Sequence, residues 1–404
     1  MKKYIILVLI CAIYAACQSK KKDSKKNEIK NIENIYVDLN KAQKVKFSKL
    51  YDNIKWVKLQ SESISLMGEI QKMEVDDDKF YFQSNNSLYI FSAKGEFITR
   101  ISNQGNGPGE YLVFSDFFID KMNNSIFIYD SKGRKINEYD YNGVFINRID
   151  IDLDGYAFTK LDKNKFAVYI GSAYYNEKSN SRLNIIDSKG EIIKKFIRIK
   201  DNEAKFMHFG DLTNFQKFND GVSFLYSFND TIYSIREDKI IPRMYIDFGE
   251  NKLPNRYLDK TYKDVMQFLE SLKETDYAFR VIGFFESKDA IVFSFMHKYD
   301  LVHVYYSKVS KNSFIVDTFI NDFSFPEIDI VSSFSNLPKA SYNNNFYTIM
   351  SAYEFIDKMD KLKAKMSYSE WELYKIENVE LFSIYESTDI DDNPMIVVGK
   401  LNKF

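Results

Sequence analysis

The chain has 404 residues, 16% of them aromatic, with 56 basic and 57 acidic side chains and a formal net charge of −1. That balance gives no electrostatic footprint for nucleic acid, and 6 Pro with 15 Gly exclude a collagen-like or low-complexity chain. Both cysteines, Cys11 and Cys17, fall in the first 17 residues, which leaves none to form a disulfide in the rest of the chain.

Residues 1–16 read as an export signal. Lys2 and Lys3 precede a short apolar run from Tyr4 to Tyr14, and Ala15-Ala16 stand before Cys17. The run is too short for a permanent bilayer span. Small residues directly before a cysteine resemble a bacterial lipobox, although Tyr14 stands where Leu is usual. Cys17 is therefore the expected lipidation site, and the membrane is the expected partner through a lipid anchor. Residues 17–31 are polar, lysine-rich and free of aromatics, the composition of a flexible tether. A basic run beside the anchor favours an outer-membrane lipoprotein facing the periplasm, with the cell surface as the alternative.

Residues 32–404 carry a repeat. Ile90-Phe-Ser-Ala-Lys-Gly95-Glu-Phe-Ile-Thr-Arg-Ile101 returns as Glu138-Tyr-Asp-Tyr-Asn-Gly143-Val-Phe-Ile-Asn-Arg-Ile149 and as Ile185-Ile-Asp-Ser-Lys-Gly190-Glu-Ile-Ile-Lys-Lys-Phe196, with the glycines 48 and 47 residues apart. Each copy reads as a hairpin whose glycine supplies a positive φ. A fixed period of this length marks a repeat architecture, and four short strands per period match one propeller blade. Blades are predicted near residues 71–101, 117–151, 157–199, 213–249 and 281–319, with strands of a last blade at 328–350 and 395–400. The early segments Ile35–Leu39 or Ile54–Leu59 are expected to close that last blade and remove a free sheet edge. Helical insertions are predicted near 254–276, as one helix opened by Pro254, and near 353–386, as helices over Tyr353–Ala364 and Glu370–Glu386. The fold class is all-β, a six-bladed β-propeller with a few peripheral helices, expected as a monomer.

Four motifs carry a resemblance. They are Gly105-Asn-Gly107-Pro108-Gly109-Glu110-Tyr111, Asn229-Asp230-Thr231-Ile-Tyr233, Tyr245-Ile-Asp-Phe-Gly249 and Asp392-Asn-Pro-Met-Ile-Val-Val398. Together, and in this order, they resemble the six-bladed β-propeller lipoproteins of Bacteroidota, related in fold to NHL-repeat propellers. The resemblance covers the chain after the signal. It implies an envelope propeller whose motifs are connectors and turns, with no catalytic residue to carry over.

Signals for chemistry are sparse. The glycine-rich loop at 105–111 lacks the Gly-Lys-Ser/Thr of a phosphate loop, and Pro108 removes a backbone donor. His208, His297 and His303 are the three histidines. A metal site built on His297 and His303 needs a third ligand. Asp76-Asp77-Asp78, Asp201 and Asp389-Ile-Asp391-Asp392 are the acidic clusters. Calcium is the cofactor such runs would suit, yet Asp runs in β proteins usually make turns, so no cofactor is expected. Two functional readings stand. The first is a non-catalytic module that binds a glycan, a peptide or a partner protein. The second is a hydrolase or lyase with carboxylates or a metal in the central channel.

Overall fold

The computed structural model describes residues 32–404 apart from 173–178, 208–212, 219–220, 237–238, 327 and 334–335. The described strands form six sheets. The first three are four-stranded meanders over residues 70–101, 114–150 and 157–198. The innermost strands are Ile70–Val75, Phe114–Asp120, Ala157–Asp162, Phe215–Phe218, Ala278–Glu286 and Ala340–Tyr342. Each lies against the next, and the last lies against the first, so the sheets close a propeller ring.

Aromatic composition is explained by how the sheets stack. A separate apolar layer fills each gap between neighbouring sheets. Tyr81, Ile90, Phe117 and Tyr139 pack between the first two, and Phe80, Phe91, Tyr347 and Ile396 pack between the last and the first. Both faces of each sheet are buried, so the strands lose the clean alternation of a half-exposed sheet. Each fully buried Phe or Leu contributes about 1.5–3 kcal/mol.

The three repeat hairpins are equivalent in detail. Gly95, Gly143 and Gly190 have φ of 88°, 83° and 85°. Each glycine N–H donates to the carbonyl three residues earlier, on Ser92, Asp140 and Asp187, at 2.9, 3.0 and 3.0 Å. The side chain of that same earlier residue accepts from the two amides flanking the glycine. The ladder shifts register at one shared offset, between Ile90/Phe91, Glu138/Tyr139 and Ile185/Ile186. A side-chain-capped turn followed by a bulge is thus repeated three times.

The N-terminal arm supplies three strands to three different sheets. β1 (Glu33–Tyr36) runs parallel to Lys239–Asp247 on the fourth sheet, and β2 (Ala42–Lys46) runs parallel to Ser313–Ile320 on the fifth. β3 (Tyr51–Lys58) is antiparallel to Met395–Leu401 and forms the outer strand of the sixth. Closure by Ile54–Leu59 is as the sequence predicts. Ile35–Leu39 does otherwise and covers the fourth sheet. Asp329–Val331, expected in the last blade, pairs with Thr318–Ile320 of the fifth.

The helices also differ from expectation. Instead of one helix over 254–276 there are two short ones, Asn255–Leu258 and Val265–Glu270. Asp264 caps the second by accepting from Gln267 N–H at 2.9 Å, which restarts the helix there. The stretch predicted as Glu370–Glu386 is two helices, Tyr368–Glu377 and Val379–Glu386, broken at Asn378. A Ser367/Glu370 capping box opens the first of them.

Candidate functional site: a strained cleft on the ring

The inner strands place ion pairs along the channel. Lys72 reaches Asp116 at 2.8 Å and Glu74 at 3.1 Å, and Lys160 reaches Asp120 at 2.7 Å. Burial disfavours the Lys72 charge, but Asp116 and Glu74 overrule it and raise its pKa to about 12. Burial likewise opposes the Asp120 carboxylate, yet the Lys160 hydrogen bond and charge hold it below its ordinary value. Lys217 and Lys121 lie 3.8 Å from the centroids of Phe118 and Tyr342, in cation–π contact. Among the described residues no group of three His, Cys, Asp or Glu side chains is placed to hold a metal.

Histidine does not assemble a site. His297 and His303 lie on adjacent strands, as their spacing predicts, but they part ways. His297 Nε2 meets Asp276 at 3.0 Å. His303 is fully buried, with Nδ1 2.6 Å from Ser294 Oγ and its ring against Phe319. Burial pushes its pKa down to about 3. His208 and Cys17 lie outside the described residues, as do residues 1–31.

The acidic runs make turns. Asp76 accepts from the amides of Asp78 and Lys79 and from the Tyr81 hydroxyl at 2.7 Å. Asp392 accepts from Asp389 N–H and pairs with Lys58 at 3.1 Å. The glycine-rich loop joins the first two sheets. Tyr111 is fully buried, and its hydroxyl donates toward the carbonyls of Asn86 and Ile101 at 3.0 and 3.1 Å. Glu110 accepts from Gly107 N–H at 2.7 Å, and a Cβ on Gly105 would lie 2.1 Å from that carboxylate. The Gly109 carbonyl, next to Pro108, accepts from Tyr139. All of these bonds stay within the connector and its supporting strands.

A cleft of about 360 Å³ opens where the third, fourth and fifth sheets meet the first of the short helices. Its inner wall is Arg182, a buried guanidinium 2.5 Å from Ser172 Oγ, 2.9 Å from Glu203 and 5.3 Å from the Tyr226 ring. Tyr226 stacks on Tyr233 at 6.4 Å and 14°. Burial raises the pKa of the Tyr226 hydroxyl above its usual value, so it remains a hydrogen-bond donor at neutral pH. Asp230 pairs with Lys252 at 3.2 Å. Burial raises its pKa, and the Lys252 charge opposes that rise. Asp230 and Thr231 thus line the cleft, and Tyr233 supports its aromatic side.

Three of its lining residues have unusual backbones. Ile197, Phe228 and Arg280 have φ of 60°, 60° and 52°. Ile197 lies inside the strand Ile192–Arg198, and Arg280 is the bulge residue of Ala278–Glu286. Most other positive-φ non-glycine residues among those described are Asn, or sit in tight turns between strands. A β-branched residue at positive φ is an outlier, and each such residue costs of order 1–3 kcal/mol. Sequence reasoning finds the Asp230 motif but not Arg182, Ile197, Tyr226 or Arg280. Arg182 and Tyr226 acquire their roles through tertiary packing, and the positive φ of Ile197 and Arg280 leaves no local pattern.

Among curated proteins none matches this chain. Its fold is similar to that of a protein described as exported from Bacteroides fragilis, with a TM-score of 0.72 at 18% identity over 92% of this chain and 100% of that one. It is also similar to a member of the DUF4221 family from Bacteroides vulgatus, with a TM-score of 0.50 at 10% identity over 87% of this chain and 97% of that one. Residues 30–400 match the model of the family described as a domain of unknown function, DUF4934, and the chain belongs to that family.

Proposed function

We propose that this chain is an envelope-anchored, six-bladed propeller lipoprotein that acts as a non-catalytic binding module and takes a small polar ligand in the cleft at Arg182, Tyr226 and Arg280. The observation that carries this reading is the meeting of three left-handed non-glycine residues at a single polar cavity, two of them within strands of the third and fifth sheets and one, Phe228, in a turn between strands of the fourth. Strain of that kind is retained where a site over-determines the backbone. The cavity volume lies within the range of small-molecule sites. Anchoring at Cys17, a periplasm-facing place on the outer membrane and a monomeric state complete the reading, supported by the signal-like residues 1–16 and the basic tether. The reading as a channel hydrolase or lyase meets carboxylates already committed to lysines, Asp116 to Lys72 and Asp120 to Lys160.

The test is a binding screen of glycans, peptides and metabolites on the full chain carrying Cys17→Ser, with Arg280→Gly beside it. Glycine accepts the positive φ, so the second variant should melt close to the first. It should lose the ligand that the first retains. Equal binding by both, or no ligand for either, overturns the cleft as the site.

A further inference from the structure

Two acceptors on the cleft wall narrow the ligand. Asp230 pairs with Lys252 through Oδ2 at 3.2 Å, and its Oδ1 accepts from no group among the described residues. A carboxylate has about four lone-pair sites, so most of its capacity is unused. Burial holds its pKa above the ordinary value, the mark of a charge with few donors around it. Asn229 donates through Nδ2 to the Thr231 carbonyl, which leaves its own Oδ1 without a donor among the described residues. Both residues line the cleft and are half-buried. The other carboxylates there are committed. Glu203 accepts from Arg182 at 2.9 Å and from Lys200 N–H at 3.0 Å, and Asp259 meets the Lys200 ammonium at 2.7 Å.

The occupant must therefore donate hydrogen bonds without carrying positive charge. An ammonium would meet the like charges of Arg182, Lys200 and Lys252 on the same wall. Hydroxyls satisfy both limits. The wall also holds the half-buried rings of Tyr226 and Tyr245, which suit an apolar C–H face. We propose that the cleft binds a neutral sugar, with ring hydroxyls donating to Asp230 and Asn229 and the C–H face of the ring against Tyr226. This rests on the cleft being the ligand site. The cavity of about 360 Å³ lies within the range that small ligands fill. A free amino acid brings the ammonium that the wall repels. Phosphate brings a second anion beside Asp230 and no apolar face.

The experiment is calorimetric titration of the full chain carrying Cys17→Ser with maltose, cellobiose, mannobiose and galactobiose, with digalacturonate, and with N-acetyl-trialanine amide. One of the neutral disaccharides is expected to bind at least about tenfold more tightly than the acid or the capped peptide, and added salt should leave that affinity unchanged. Asp230→Asn should weaken it about tenfold. Lys252→Gln breaks the same ion pair without removing the acceptor, so it should keep most of the affinity. Equal losses in the two variants overturn Asp230 as the contact. The acid bound more tightly than every neutral sugar overturns the neutral ligand, and the peptide bound more tightly overturns the sugar. No binding by any probe overturns this proposal, whereas a different ligand held by the parent and lost in Arg280→Gly leaves the cleft in place.

Discussion

Gly95 faces Lys58 across the seam between the first and sixth sheets, and a Cβ on the glycine would lie 2.0 Å from the Lys58 carbonyl oxygen. Gly190 repeats the relationship with the carbonyl oxygen of Asp150 at 1.8 Å. Gly143 meets only the Ile101 side chain, at 3.0 Å. The hairpin glycine thus serves two ends, a positive φ within its own blade and close approach to the outer strand of the blade before it. Alanine at Gly95 or Gly190 should cost well over ~1 kcal/mol, and at Gly143 less, because Ile101 can move and a backbone carbonyl cannot. Urea unfolding of the three variants checks this; equal losses would remove the backbone contact as the cause.

Ring closure gives a second expectation. Met395–Leu401 lies between Asn345–Met350 and β3, so deleting Met395–Phe404 strips both neighbours of their ladder. That truncation should lower the melting temperature of the whole body or abolish folding. Deleting Ser19–Asn31 should leave it unchanged. A C-terminal truncation that melts like the parent would contradict closure through β3.

His303 makes stability depend on pH. Its folded pKa is about 3 against an ordinary value of 6.5. Above pH 6.5 the ring is neutral in both states, and its packing is fully realised. As pH falls from 6.5 toward 3, the unfolded chain takes up a proton that the native chain refuses. Stability then drops by up to ~1.4 kcal/mol per pH unit from this group. Denaturant midpoints for the parent and His303→Gln, taken between pH 7.5 and 4.5, should show a shallower fall in the variant. Parallel curves would rule His303 out as the source.

Cys17→Ser should shift the protein from the membrane to the soluble fraction in a host that processes lipoproteins. Intact mass of the parent should carry the lipid. An unlipidated parent that still sediments with membranes would end the anchor reading.

Much of the ring was legible because its turns are local. A glycine three residues after Ser92, Asp140 or Asp187 needs only its own neighbours to set the bulge, so the repeat appears in the letters. β1 and β2 were harder. They are short, their partners lie some 200 or more residues away, and parallel pairing leaves no hairpin signal. The two helical insertions were placed, and the second was already split after Ala364, but the breaks at Asp264 and Asn378 were missed, since these residues act through caps and backbone angles that an apolar stripe hides. Of the cleft, Asn229, Asp230, Thr231 and Tyr245 lay in motifs visible beforehand, with Tyr233 behind its aromatic side. The buried Arg182 and the left-handed Arg280 acquire their roles when three sheets meet.

The arm that crosses three sheets also sets an order of events. Tyr51 is synthesised more than three hundred residues before its partner Leu401. At about 5–20 residues per second, that is a wait on the order of tens of seconds. β1 gains its partner strand once Asp247 is made and β2 once Ile320 is made, but β3 has no native edge to join until Met395–Leu401 emerges, while the first three sheets already hold every strand they need. A strand made among the first of the body is thus the last to dock, and the ring locks only when the end of the chain arrives.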